Sequence, residues 1–413
     1  MDGTAMKRLL LNYIYYPRVG HTLEAFRYAR GLCEANPGVE VHVALHCQAP
    51  HALAQNYPWI SGIYPIPLDG SVDPTADPRV SASLPREWDY IVDDNHIMVE
   101  LRKLRESAPE DDSGLNQPSA EEVAIERYCQ WADHNLEARY GRGTISPFAL
   151  PGGLGYKPHT RVDLPVPAES SAFVERYASA DPGRRPRICI LLGGSGASRS
   201  ERRDDGPNPY GNRLYPEISS WLKILDAFRD EWPAATVYLT GVRKSVDGRP
   251  GTGHYADEEI ERVLRSGPHL VDCYDVGLRN QIALIKMCDV FISPSTGFSW
   301  LAPCVGTPTL TIAGGDWHDY FFNEVPFYSV LPDNPDYPYA GKLQSDYSTS
   351  RIPCMRPQNL DRKIPEIVEA TRLLLDTDFT YEAACVRHQE NISRANVRRA
   401  YIPTPTSDYL ANF

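Results

Sequence analysis

Residues 289–315, DVFISPSTGFSWLAPCVGTPTLTIAGG, decide how this chain is read. Two apolar, β-branched runs, 290–292 and 309–313, have the length and composition of buried parallel strands. Between them, Ser293-Pro294-Ser295-Thr296-Gly297 breaks the first strand. Residues 298–305 predict a short helix, and Gly306-Thr307-Pro308 returns the chain to the sheet. Ser295, Thr296 and Gly297 therefore stand at a strand's carboxyl end and a helix's amino end. Free N–H groups and the helix dipole favour an anion there, and glycine lets the backbone come close to it. An ordinary strand-turn-helix junction, with serine or threonine as the helix cap, has the same sequence pattern.

The other βα signals run along the whole chain. Residues 8–15 predict a first buried strand, Pro17 to Gly20 a break, and His21 the start of an amphipathic helix. Leu23, Phe26, Ala29 and Cys33 recur at helical spacing until Asn36-Pro37-Gly38. Residues 39–45 predict a second strand, so the chain opens as a βαβ unit in a parallel sheet. Residues 58–67 and 88–94 predict further strands, the latter ending in Asp93-Asp94. Residues 106–122 are acidic, rich in proline and serine, and read as a surface loop. Residues 123–138 predict a helix, and the loop-like 140–167 suits an interdomain boundary.

Beyond it, 169–178 predict a short helix and 187–192 a strand entering Gly193-Gly194-Ser195-Gly196-Ala197-Ser198. Such a glycine cluster exposes N–H groups and suits a phosphate nest, although it is neither a Walker loop nor a dinucleotide fingerprint. Arg213-Leu214-Tyr215-Pro216 precedes a helix through Trp221, Ile224, Leu225 and Phe228. Arg213 offers a fork of donors to a diphosphate, or is a surface residue near a helix start. Residues 235–241 predict a strand ending in Gly241, 270–273 another, and 278–287 a helix. Helical periodicity returns at 364–375 and 381–397. Asp376-Thr377-Asp378 has the Asp-x-Asp form of a metal site but follows a helix, and it reads as that helix's end.

Composition excludes several classes. The chain has 413 residues, 42% apolar and 23% charged, which suits two globular domains. A net charge of −12 disfavours a nucleic-acid or anionic-membrane partner. The nine cysteines show no CxxC spacing, so they read as reduced thiols of a cytoplasmic protein. Lys7-Arg8 is followed by only three leucines before Asn12, too short for a signal peptide's apolar core, and no run approaches a membrane span. No cluster has metal-ligand spacing.

Taken together, these motifs resemble the heptosyltransferases, glycosyltransferase family nine. That family carries Asp-Thr-Gly, then His, then Ala-x-x-Gly-Thr-Pro. Here Thr296-Gly297, Ala302 and Gly306-Thr307-Pro308 match, while Ser295 stands for the Asp and Ser299 for the His. His21 occupies the position of the family's catalytic Asp. Gly20-His21 also resembles the opening of the glycosyltransferases that act on small molecules, whose base is that histidine. Asp93 matches the family's Tyr-Asp-x-x-Ile-Asp strand. It either holds the imidazole in one tautomer or caps the next helix. Arg213 matches a phosphate-contacting lysine, and Gly241 the end of a Thr-Gly strand.

The resemblance implies an α/β fold of two Rossmann-like βαβ domains facing across a cleft, the GT-B architecture. It implies an acceptor-binding domain over 1–165, a nucleotide-sugar-binding domain over 166–380 and a helical tail over 381–413. The expected activity is metal-independent, inverting transfer from a nucleotide-diphosphate sugar to a small soluble acceptor, without a cofactor. His21 and Asp93 are the expected catalytic pair. Ser195, Gly196, Ser198, Arg213, Gly241, Ser295, Thr296 and Gly297 are the expected donor-binding set. The alternatives are a nucleotide-sugar 2-epimerase of the same architecture and a silent sugar-nucleotide-binding protein.

Overall fold

The computed structural model describes residues 6–13, 19–54, 57–66, 88–93, 154–155, 157, 160–166, 168–180, 183, 185–194, 215–243, 255–312, 323–331, 355 and 357–394. The loop read over 106–122 and the helix read over 123–138 lie outside the described residues. The chain divides into two compact units, one running through residue 162 and the other starting at 163.

In the first unit, β1 (Lys7–Tyr13) pairs in parallel with β2 (Val39–His46), Leu9 standing beside Val41 and Leu11 beside Val43. Leu9, Leu10, Leu11, Val41 and Val43 are all buried, the mark of a parallel strand covered on both faces. β3 (Gly62–Ile66) joins β2, and β4 (Tyr90–Asp93) joins β1, so the order is β3-β2-β1-β4. Helix α1 (Val19–Ala35) crosses from β1 to β2 and buries Leu23, Phe26, Ala29 and Leu32 along one stripe. Each of the larger three stabilises the unit by about 1.5–3 kcal/mol.

The helix begins two residues before His21, where a break was expected. First-turn N–H groups have no intrahelical partner anyway, so Gly20 interrupts no hydrogen bond there. The end falls where Asn36-Pro37-Gly38 predicts it, with Gly38 at φ +86°. Asn36 also accepts from the Gly155 N–H at 2.8 Å, and the Arg27 Nε donates to the Thr160 carbonyl at 2.6 Å. These contacts fasten the described part of 154–162 along α1.

Among the described residues, the second unit holds six parallel strands: β5 (Arg187–Leu191), β6 (Thr236–Gly241), β7 (Leu270–Tyr274), β8 (Val290–Pro294), β9 (Thr309–Ile312) and β10 (Phe327–Val330). Their order, β10-β9-β8-β5-β6-β7, is the doubly wound order of a Rossmann sheet. One face is covered by α3 (Ile218–Glu231), α4 (Asp257–Leu264) and α7 (Ile364–Leu375). Trp221, Phe228, Ile260, Val263 and Ile367 pack there against Ile190, Leu239 and Ile292. The α5 helix (Leu278–Met287), α6 (Gly297–Cys304) and α8 (Tyr381–Arg394) pack on the opposite side, and α2 (Ser171–Ala180) lies on α5.

Several expectations are corrected. β8 does not break at Ser293: it continues through Pro294, which sits in register with Ile312. A proline at the last position of a strand removes a donor where the ladder is ending. Helix α4 and strand β10 were not expected. The described part of the helical tail, Tyr381–Arg394, packs on the second sheet, where the Phe327 ring of β10 meets Tyr381 and His388 at 5.9 and 5.6 Å; residues 395–413 lie outside the described residues. Asp376 does end a helix, its side chain accepting from the Asp378 N–H at 3.0 Å.

Candidate active site

In open α/β sheets, ligands bind beyond the strands' carboxyl ends, where the strand order reverses. The first unit reverses between β1 and β4, the second between β5 and β8. Both positions carry residues singled out from the sequence.

At the first, β1 ends at Tyr13, and His21 is the third residue of α1. Its side chain is 26% exposed while Nδ1 itself is buried, so the exposure lies on the rest of the ring. Nδ1 stands 3.5 Å from Oε2 of Glu24, whose side chain is only 4% exposed. The Tyr13 hydroxyl donates to the same Oε2 at 2.7 Å, and the Tyr28 hydroxyl to Oε1 at 3.4 Å. A buried carboxylate is costly unless paired and hydrogen-bonded, and the three groups around Glu24 meet that requirement. Asp93 is the last residue of β4, in register with Asn12 one residue before Tyr13. Its backbone thus reaches the same end of the sheet. Its side chain lies outside the described residues.

At the second, Gly193 and Gly194 follow β5. A Cβ on Gly194 would lie 2.8 Å from the Tyr215 hydroxyl and 3.0 Å from Cγ2 of Thr296; one on Gly193 would lie 2.9 Å from the Tyr255 ring. The glycine turn, Tyr215 and Thr296 therefore meet at one point, the switch between β5 and β8. A buried network holds the floor. Trp221 Nε1 donates to the Leu192 carbonyl at 3.1 Å, and the Tyr255 hydroxyl bonds the Pro216 carbonyl. Burial raises the Tyr255 phenol far above its ordinary range, so it stays a donor. Gly241 ends the neighbouring β6, its carbonyl accepting from the Asp275 N–H at 3.0 Å and from Gln281 Nε2 at 3.2 Å. Ser195, Gly196, Ser198 and Arg213 lie outside the described residues.

The start of α6 is not the open row of donors that the sequence suggested. Thr296 Oγ1 accepts from the Phe298 N–H at 3.3 Å, and Ser299 Oγ accepts from the Thr296 N–H at 3.1 Å. Ser299 also donates back to the Thr296 carbonyl. Thr296 and Ser299 thus form a reciprocal cap, and the Thr296 and Phe298 N–H groups are already taken. Ser295 and Gly297 at this turn are both half-buried.

Other chemistry is disfavoured by what surrounds the candidates. The Arg243 guanidinium lies between Glu261 at 2.7 Å and Asp272 at 2.5 Å, so this cation is committed within the unit. Burial pushes the Cys273 thiol up to about 12 and Cys385 to about 11, which keeps both protonated near neutral pH. Among the described residues, no group of three or more histidine, cysteine or acidic side chains is placed to hold a metal ion. Nor is any helix among them long and apolar enough to cross a membrane.

No protein-family model matches the chain, and no curated protein matches it in sequence. Solved structures do. The ADP-heptose LPS heptosyltransferase II of E. coli is similar over 90% of this chain and 98% of its own, with 16% identity and a TM-score of 0.50. The glycosyl transferase family 9 protein of Veillonella parvula covers 91% of this chain and 99% of its own, at 10% identity and a TM-score of 0.50. The fold is GT-B. Both structures are of the kind that the ordered motifs resemble, and at these identities the similarity concerns the GT-B fold and not the chemistry. A UDP-GlcNAc 2-epimerase from Neisseria meningitidis overlaps less closely, with a TM-score of 0.39.

Glu24, Tyr13, Trp221 and Tyr255 were not singled out from the sequence as site residues. His21-x-x-Glu24 on a helix was a readable signal, because residues three apart share a face. Tyr255 gave none, since its contact with Leu192 joins positions 63 residues apart.

Proposed function

We propose that this chain is a metal-independent, inverting glycosyltransferase that moves a sugar from a nucleotide-diphosphate donor to a hydroxyl of a small soluble acceptor in the cytoplasm. The observation that carries this reading is His21 at the first unit's switch point, backed by the buried Glu24 carboxylate, within a GT-B fold. The acceptor hydroxyl gives its proton to the His21 imidazole as its oxygen attacks C1 of the sugar. The bond from C1 to the diphosphate oxygen breaks, its electron pair leaves with the nucleoside diphosphate, and the anomeric centre inverts.

The second unit's switch point supports donor binding. Gly193 and Gly194 keep side chains out of the turn after β5, with Thr296 beside Gly194, and Ser295, Thr296 and Gly297 are proposed to face the donor with them. Ser195, Gly196, Ser198 and Gly241 complete the proposed donor-binding set. Arg213 is proposed to neutralise the charge that grows on the leaving diphosphate. Asp93 is proposed as a second carboxylate at the first unit's switch point.

Calorimetric titration with ADP, UDP, GDP and dTDP tests the donor part directly. One of them binds, and Arg213→Ala weakens that binding by the roughly 1.5–3 kcal/mol of a hydrogen bond to a charged group. Unchanged affinity in a folded Arg213→Ala chain removes Arg213 from the site. Failure of all four to bind removes the donor reading.

A further inference from the structure

A second group of titratable side chains lies toward the amino end of the first sheet, away from the switch point. His42 of β2 is buried there, between groups from β1, β3 and the approach to β4. The Trp88 ring, just before β4, meets the imidazole edge-on with centroids 5.1 Å apart. Tyr64 of β3 stands with its ring 5.9 Å away and its hydroxyl 3.4 Å from Nδ1. Gly62, in register with His42, leaves the space that the imidazole fills: a Cβ there would lie 2.7 Å from Nδ1. Nε2 is buried without a hydrogen bond.

The charged groups about this ring are unevenly placed. On β2 itself, Oε2 of the partly exposed Glu40 stands 3.6 Å from Nε2. On β1, Arg8 is in register with Glu40 and lays its guanidinium over the Trp88 ring, 4.6 Å from its centroid. Lys7 donates to the Tyr90 hydroxyl at 2.9 Å, and Asp89 accepts the Arg8 N–H at 2.7 Å. Burial holds the His42 imidazole below its ordinary pKa; Glu40 opposes this and Arg8 adds to it. An imidazolium here is taken out of water, with Glu40 beyond hydrogen-bond reach. The neutral ring is therefore the form that the folded unit accepts.

From this packing we infer that His42 is an acid-sensitive latch of the first unit: its neutral ring fastens β2 to β3 and to the segment entering β4, and its protonation releases that contact. The unfolded chain takes up the proton near the ordinary value of about 6.5, the folded unit only at lower pH. The stability that the latch contributes is fully present above the unfolded value and is lost as pH falls through the folded one. Within that window the folding equilibrium weakens by up to about tenfold per pH unit. The latch does not depend on the transferase reading, since it involves neither switch point.

Two measurements on the full chain test it. Nuclear magnetic resonance follows the His42 ring, identified by its cross-peaks to Trp88, as pH is lowered. Urea unfolding is compared at about pH 7.5 and about pH 5.5, on either side of the ordinary imidazole value. His42→Phe keeps a ring in the same place and cannot take the proton. The expected wild-type ring titrates below the ordinary value, and its cross-peaks to Trp88 and Tyr64 fade as it protonates. The urea midpoint falls with pH in the wild type and falls less in His42→Phe; the other histidines are common to both chains, so the difference belongs to His42.

Glu40→Gln leaves the imidazole and its aromatic neighbours in place, and it removes the one nearby carboxylate. The His42 titration should move lower still in that variant, which keeps the test decisive if His42→Phe does not fold. Titration at or above the ordinary value, or one that does not fall in Glu40→Gln, overturns the inference. So do cross-peaks that persist in the protonated ring, or an equal loss of urea midpoint in His42→Phe and wild type.

Discussion

Glycine at position 194 is demanded by its neighbours. An added methyl would meet the Tyr215 hydroxyl at 2.8 Å and Cγ2 of Thr296 at 3.0 Å, and the Tyr215 ring is itself buried against the core. Gly194→Ala should therefore displace one of the two segments and destabilise the second unit by about 1–3 kcal/mol, the ordinary range for overpacking. Thermal unfolding measures this, and an unchanged midpoint would show that the turn relaxes freely. Calorimetry on the same variant should show weakened nucleoside-diphosphate binding. The glycine cluster was readable as a candidate phosphate turn from composition alone. The reason for glycine at 194 was not, because Tyr215 and Thr296 come from distant parts of the chain. The same holds for His21: its place at a helix start followed from periodicity, whereas the burial of Glu24 beside it depends on Tyr13 in the sheet.

At the scale of elements, local chemistry decides what was readable. The helix boundaries Leu278–Met287 and Ile364–Leu375 agree with the periodicity, because apolar residues at helical spacing dictate the buried stripe. Strand β10 is four residues, Phe327–Val330, and is defined by pairing with β9, which no local pattern announces. Helix α4 carried a signal that went unused. Ile260, Val263 and Leu264 are spaced for one face, and Glu259 bonds back to the Ala256 N–H at 2.8 Å.

The start of α6 shows how a residue substitution changes an element's duty. Ser299 occupies the position of a histidine in the family that the motif resembles, and here it closes the helix cap with Thr296. Thr296→Ala should cost about 1 kcal/mol, within the usual 0.5–2 kcal/mol for a lost cap. That corresponds to a midpoint lower by roughly 2–4 °C in a unit of this size. No change in the midpoint would mean that the cap is formed by other groups. Because the cap takes the Thr296 and Phe298 N–H groups, Thr296→Ala should not abolish nucleotide binding.

At the scale of the whole molecule, each unit brings its candidate residues to the point where its strand order reverses. The strand order 3-2-1-4 in the first sheet and the doubly wound order in the second put these points between β1 and β4 and between β5 and β8. That much of the fold was readable, because buried parallel strands announce themselves as short apolar runs between helical patterns. Asp376-Thr377-Asp378 stands at a helix end, where the Asp376 side chain accepts from the Asp378 N–H, and the proposed transfer needs no metal. Activity should survive exhaustive EDTA treatment. Loss of turnover that magnesium or manganese restores would implicate a carboxylate pair, with Asp93 the first to test.

The base assignment at His21 is the central claim, and release of nucleoside diphosphate tests it most directly. Wild type and His21→Ala are incubated with a panel of nucleotide sugars, with and without a panel of small hydroxyl-bearing acceptors, and the freed diphosphate and the sugar are both followed. The account predicts acceptor-dependent release by the wild type, slowed by roughly 10²–10⁴-fold in His21→Ala, with donor affinity nearly unchanged. Full activity in His21→Ala, or conversion of the donor sugar with no acceptor present, would contradict it.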